Sequence, residues 1–409
     1  MRHPGKTSIE TISLLGGLCF FLSAIEYMIP KPLPFIRLGF ANLPLLLALD
    51  IMPFSSFMLL VSIKIIGQAM ISGSLFSYVF LFSLGGTAAS ALLMYGLRKV
   101  SSRERISLIG ISTAGALTFN IVQLFLAYYY VFGNGIRYAA APIIALGIIT
   151  GTLLGLAAEY FIGQSVWYTN LFGVSLRSSK SQEDGPEESR TENKNLQNGL
   201  QSANTSRLKK IFDSTDLAIA GLLMIPALLL NPDTGGRVIQ FLFFWALAFL
   251  SGKKNNPLFT AALIAGIVFF NLIVPFGEVL FVAGPLKITS GALDAGIKRA
   301  VTLEGIMMLS RFSVRADLAL PGSFGKILGE SFKIFSSLGE EKKLFTRQNW
   351  ARRLDKILMA NGETVTALPH TAIKKSRAKA AKYKSRLLLA VIVILSWLPL
   401  IFSLIFPRL

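Results

Sequence analysis

The chain has 409 residues, of which 53% are hydrophobic and 15% charged, with 31 Phe, 35 Gly and a formal net charge of +19. Water-soluble domains carry about 25% charged residues, so with a mean hydropathy of +0.58 these numbers exclude an ordinary soluble globule and point to an all-α integral membrane protein. Cys19 is the single cysteine and His3 and His370 the only histidines, which excludes a disulfide framework and a zinc-type ligand cluster; no metal and no cofactor is expected.

Apolar runs at 11–29, 35–51, 54–72, 77–97, 107–132 and 138–163 predict six spans in a first module, 1–172. The first run is read as a retained span, because no small-residue cleavage site follows it. Pro30, Pro32, Pro34 and Pro44 interrupt the second run, as suits a segment that lines a cavity and has its backbone satisfied there. Composition then changes sharply, and 173–214 reads as a disordered polar linker rich in Ser, Asn, Gln, Glu and Lys.

Hydrophobicity resumes at 216–231, 238–250, 258–276, 285–312 and 387–406, a second module over 215–409. Between its last two runs lies 313–386, which holds more than half of the net +19. There Ile327, Leu328, Phe332, Phe335 and Leu338 recur at helical spacing among charges, an amphipathic arm. Two readings are open: a helix lying on anionic lipid, or a docking arm for a cytoplasmic partner. Six spans followed by five with the N-terminus inside place Arg2, Lys6, Arg98, Lys99, Arg103, Arg105, Lys253, Lys254 and this arm in the cytoplasm of a cell whose inner membrane holds the chain. The basic excess therefore marks a membrane side and does not call for nucleic acid.

Charges inside apolar runs cost about 2.5–3.5 kcal/mol each at the bilayer centre on insertion scales. Glu26, Arg37, Asp50, Lys64 and Glu159 are thus candidates for a polar cavity, and one lined by Glu26, Arg37, Asn42, Lys64 and Arg137 suits an anionic or polar-headed ligand. Gly147, Gly151 and Gly155 repeat every four residues, and Ser13 and Gly17 do so in the first run; both mark helix faces open to close approach. Asp294 and Lys298 stand one helical turn apart and can pair, with Arg299, Glu304 and Arg311 further along the same predicted helix, which reads as a lever rather than a pore lining.

No motif supports catalysis. Gly5-Lys6-Thr7 lacks the upstream glycine of a phosphate loop, and Gly325-Lys326 is followed by Ile327 instead of Ser or Thr. The dense acidic stretch, Glu183 to Glu192, falls in the linker, so no aspartate cluster is placed to hold magnesium against a diphosphate. The chain is expected not to be an enzyme, with no catalytic residue to assign.

Ile36-Arg37-Leu38-Gly39-Phe40-Ala41-Asn42-Leu43-Pro44 resembles the Gx transporter family, also labelled heptaprenyl diphosphate synthase component I, and the likeness covers about 12–170. That resemblance implies a six-helix bundle like the substrate-binding subunits of energy-coupling factor transporters. The second module resembles their transmembrane coupling subunit, through Gly291, Gly296, Arg299 and Met308-Leu309-Ser310-Arg311-Phe312-Ser313 before a long cytoplasmic helical region. Ala351-Arg352-Arg353 and Arg377-Ala378-Lys379 partly match the short motifs by which such subunits dock onto ATPases, which implies partner coupling for Arg299, Arg352 and Arg377. The resemblance thus implies a transporter component that binds a small ligand, with an anionic or isoprenoid part, and is driven by ATPase subunits supplied in trans. The alternative is a non-catalytic membrane component of prenyl diphosphate or quinone metabolism.

Overall fold

The structure is a computed structural model and describes residues 9–28, 39–100, 106–172, 212–253, 256–284, 286–315, 318, 320–340, 351–352, 354–356, 358–359 and 379–405. Pro30, Pro32, Pro34, Arg37, Arg377 and most of the stretch read as a linker lie outside the described residues. What is described is helical apart from one two-stranded hairpin.

In the first half, α1 spans Ile9–Met28, α2 Leu43–Ile51, α3 Phe54–Ser72, α4 Tyr78–Val100, α5 Leu108–Ala127, α6 Arg137–Gln164 and α7 Val166–Phe172. Local chemistry sets several of these limits. The α3 helix ends because Gly73 takes a left-handed φ of 66°; Gly73 N–H then reaches Met70 O and Ser74 N–H reaches Ala69 O, which closes the last turn. Ser107 caps α5 by accepting from Gly110 N–H at 3.2 Å. Between α5 and α6 the chain stays helical through a π turn, Tyr128–Phe132, and a 3-10 turn, Gly133–Ile136.

The second predicted span changes most. Its described helix, α2, has 9 residues, about 14 Å at 1.5 Å per residue, against the roughly 30 Å of a bilayer core. It begins with Pro44 in its first turn and buries every residue from Leu43 to Leu49 in protein. Elsewhere, Ile9–Glu26, Phe54–Ser72, Tyr78–Val100, the continuous Leu108–Gln164 and Tyr383–Ile405 are long and apolar enough to cross a membrane.

The second half comprises α8 Ser214–Leu229, α9 Thr234–Leu250, α10 Pro257–Leu272, the hairpin β1 Val279–Ala283 with β2 Leu286–Thr289, α11 Ser290–Ser313, α12 Gly322–Glu340, and α13 Lys379–Ile405. The run predicted as a span from 285 therefore starts as a strand. Val279, Val282 and Ile288 favour extended backbone, and Gly284, at φ 58°, turns the hairpin. Asp294 and Lys298 do not pair with each other: Asp294 accepts from Thr234 Oγ1 at 2.8 Å, and Lys298 donates to the carbonyl of Pro232. Both bind α11 to the turn between α8 and α9. Phe212, near the end of the stretch read as linker, is buried with α8 and α11 in the second core.

The two halves share their cores. Ile327, Leu328, Ile334 and Leu338 of α12 join Leu15, Phe20, Leu45 and Phe57 of the first half in one cluster. Most of the arm's apolar stripe is thus packed inside the protein against α1, with Phe332 and Phe335 partly buried beside it. Added Cβ atoms at Gly16 and Gly17 would come within 2.6 Å of Ser331 Oγ and 2.7 Å of Ile334 Cγ2. Ser13 donates to Glu330 at 3.0 Å, and the rings of Phe20 and Phe332 lie 4.9 Å apart. Further along the arm, Asp355 accepts from Val166 N–H at 3.1 Å, from Trp167 N–H at 3.0 Å and from Ser165 Oγ, and so caps α7.

Gly17→Leu is expected to destabilise the chain by about 1–3 kcal/mol through overpacking, and Asp355→Ala by about 0.5–2 kcal/mol through loss of the cap. Thermal unfolding in detergent, followed by tryptophan fluorescence, measures both; an unchanged midpoint for Gly17→Leu contradicts the α1–α12 contact.

Candidate functional site

The helices of the first half put polar side chains on their inner faces. Glu26 lies in the last turn of α1 and Asn42 just before α2, where Gly39, at φ 89°, turns the chain inward. Lys64 and Gln68 stand four apart on α3 and so share one face. Thr87, Ser90 and Met94 follow on α4, Ser112, Ala116, Phe119 and Asn120 on α5, and Gly147, Thr150, Gly151 and Leu154 on α6. All line one cavity, which leaves about 30 Å³ free within an inter-helix envelope of about 560 Å³. The free space holds roughly two or three waters.

The charges in this cavity are deeply buried, with Glu26 at 2% and Lys64 at 4% exposure. Burial of an ion without partners is costly, and Lys64 Nζ donates to Asn42 Oδ1. The opposite case is Gln68: at 8% exposure, its Oε1 has no hydrogen-bond partner among the described residues. A buried acceptor left unmade costs about 1–3 kcal/mol, so a cavity-lining Gln68 is ready to accept from a bound molecule. Asn120 and Ser112 are already engaged, donating to Ile143 O at 2.8 Å and Gly151 O at 2.7 Å.

Those two bonds run where Gly147, Gly151 and Gly155 lie against α5. A Cβ at Gly151 would meet Thr113 Cα at 2.8 Å and one at Gly155 would meet Ile109 Cα at 2.5 Å, so this ridge brings α5 and α6 together along the cavity wall. Ser13 and Gly17 face α12 instead. Of the charges proposed for the cavity, Asp50 and Glu159 hold the frame. Asp50 takes a bidentate bond from Arg98 at 2.5 and 2.6 Å, and Glu159 accepts from Leu108 N–H at 3.0 Å. Arg137 does not line the cavity. It opens α6 and is exposed there, outside the residues that line the cavity. Gln68, Thr87, Ser90, Asn120 and Thr150 were not singled out from the sequence; the signal available was uncharged polar residues within apolar runs.

The second half holds the turns between cavity helices. Ser310 of α11 donates to Gly73 O at 2.8 Å and accepts from Phe76 N–H at 3.0 Å, which fixes the α3–α4 turn. Arg299 donates to Asn271 at 2.7 Å, and Asn271 donates to Val131 O at 3.2 Å in the π turn after α5. Arg299 is thereby committed to the junction of the two halves, while Arg352 is exposed.

This arrangement defines a class: a multi-helix membrane protein with a small polar cavity inside one half and a second half clamped on that half's turns. Residues 15–161 match the family model of heptaprenyl diphosphate synthase component I. Residues 216–316 match a domain of unknown function, DUF8519. No curated protein and no solved structure matches the chain.

Gln68→Leu removes the unpartnered acceptor at similar volume. Unfolding of the ligand-free variant is expected at the same midpoint or higher, by up to about 1 kcal/mol; a clear loss of stability means that Oε1 is satisfied in the resting protein.

Proposed function

We propose that the chain is a membrane transporter component of the energy-coupling factor type, in which the first half captures a small polar ligand and the second half couples it to ATPase subunits in trans. The observation that carries this reading is the double clamp. Helices α3 to α6 wall the cavity, and α11 holds the α3–α4 turn through Ser310 and the α5–α6 turn through Arg299 and Asn271. Movement of α11 and α12 therefore changes the distance between cavity walls. Such movement is required, since the space left between the walls is too small for most metabolites. The N-terminus lies in the cytoplasm of a cell with this chain in its inner membrane, and the exposed Arg352 is the docking residue for an ATPase.

The family matched by the first half supports a second reading, since its name describes one component of a prenyl diphosphate synthase. In that reading the cavity holds a polar head of a lipid substrate and the arm recruits a soluble synthase. Uptake into sealed vesicles separates the two: ATP-dependent accumulation supports transport, and binding without accumulation supports the scaffold. On the transport reading, Lys64→Ala is expected to lower ligand affinity about 10- to 100-fold, as for loss of a charge-assisted hydrogen bond. Unchanged affinity removes Lys64 from the site. Arg352→Glu is expected to abolish co-elution with ATPase subunits while the melting midpoint stays in place.

A further inference from the structure

Gln68 of α3 and the hydroxyl residues Thr87 and Ser90 of α4 face one cavity. All three are buried, Thr87 and Ser90 at 3% exposure. A hydroxyl inside a helix commonly bonds the carbonyl four residues back, as Thr113 does to Ile109 O at 2.9 Å. Among the described residues the side chains of Gln68, Thr87 and Ser90 make no hydrogen bond. The lining thus holds an unmatched carboxamide and two unmatched hydroxyls beside the apolar Met94 and Phe119. Glu26 and Lys64 are the charged residues among the described lining, and their charges sum to zero.

We propose that the cavity takes an uncharged small molecule with an amide edge, a carbonyl next to an N–H, which pairs with the carboxamide of Gln68 through two antiparallel hydrogen bonds. The inference rests on the reading of the first half as a capture unit and adds the chemical class of what is captured. A carboxamide sets an acceptor beside N–H donors, so its complement is a donor beside an acceptor, as in a lactam, a ureide or a primary amide. The match holds for either orientation of the Gln68 amide, because the ligand edge turns over with it. A carboxylate or phosphate presents acceptors alone. It would set lone pairs against Gln68 Oε1 and leave that buried atom unpaired, at full desolvation cost. It would also bring a net charge into a lining whose described charges already cancel, and burial of an unpartnered ion is costly.

Formamide and formate are alike in size, suit a free space of roughly two or three waters, and differ in an amide nitrogen against a second carboxylate oxygen. Saturation-transfer NMR of the full chain in detergent, titrated with each, tests the proposal. Formamide is expected to bind about five- to tenfold more tightly than formate, the effect of one hydrogen bond. Gln68→Leu is expected to weaken formamide about tenfold. Gln68→Glu, of the same shape but with an acceptor in place of the amide nitrogen, is the second probe should Gln68→Leu not fold, and it should weaken formamide likewise. Formate bound as tightly as formamide overturns the proposal, as does formamide binding that neither variant alters, or no saturable formamide binding. Neither ATPase nor vesicle takes part in the titration. Formamide bound through Gln68 by a chain that accumulates nothing therefore supports the ligand class while refuting transport, and uptake without Gln68-dependent formamide binding refutes the ligand class alone.

Discussion

Gly16 and Gly17 leave a flat strip on α1 where Ser331 and Ile334 of α12 rest at van der Waals contact. Close approach of two helices at small residues gains dispersion contact along their whole length, and here it also buries the apolar stripe of an otherwise basic arm. Without that strip, α12 would present Ile327, Leu328, Ile334 and Leu338 to solvent or lipid. With it, the arm continues to Asp355 at the start of α7, so α12 and the segment after it contact the first half at both α1 and α7. The position of α11 follows, because its last turn leads directly into this arm.

The cavity is a product of the same frame. Polar residues from six segments converge inside the first half, and their helices are kept at a fixed spacing by the Gly147, Gly151 and Gly155 ridge, by the Asp50–Arg98 pair and by the clamp of α11 on two turns. The half-buried Asp50, held bidentately by Arg98, braces the end of α2 against α4. Gln68 has the opposite character, as an acceptor with no protein partner among the described residues. The cavity thus combines braced helices with a lining that keeps one acceptor unpaired among the described residues.

Much of the fold was legible in the sequence, because length and apolarity alone mark helices such as α3, α4 and α6. The hairpin at 279–289 was not, since a short apolar run has no periodicity that separates strand from span. The short α2 was hidden for the same reason. For the site, Glu26 and Lys64 stood out because charge in an apolar run is costly, whereas Gln68 and Asn120 carry no charge and leave little trace in composition. Asp50 and Glu159 drew the same attention for a structural role, as charge alone does not separate a ligand site from a paired brace. Ser13 and Gly17 announced a close approach, yet small residues say nothing of which helix makes it, and the partner stands more than three hundred positions away in α12.

A shared core also fixes stoichiometry. In an assembly of separate subunits, several cavity-bearing units can share one clamping unit and be exchanged. Here Leu15 and Phe20 pack with Ile327 and Leu338 inside one chain, so the first half has no free state in which to be traded. Each copy carries one cavity and one clamp, and their ratio stays at one to one whatever the number of chains.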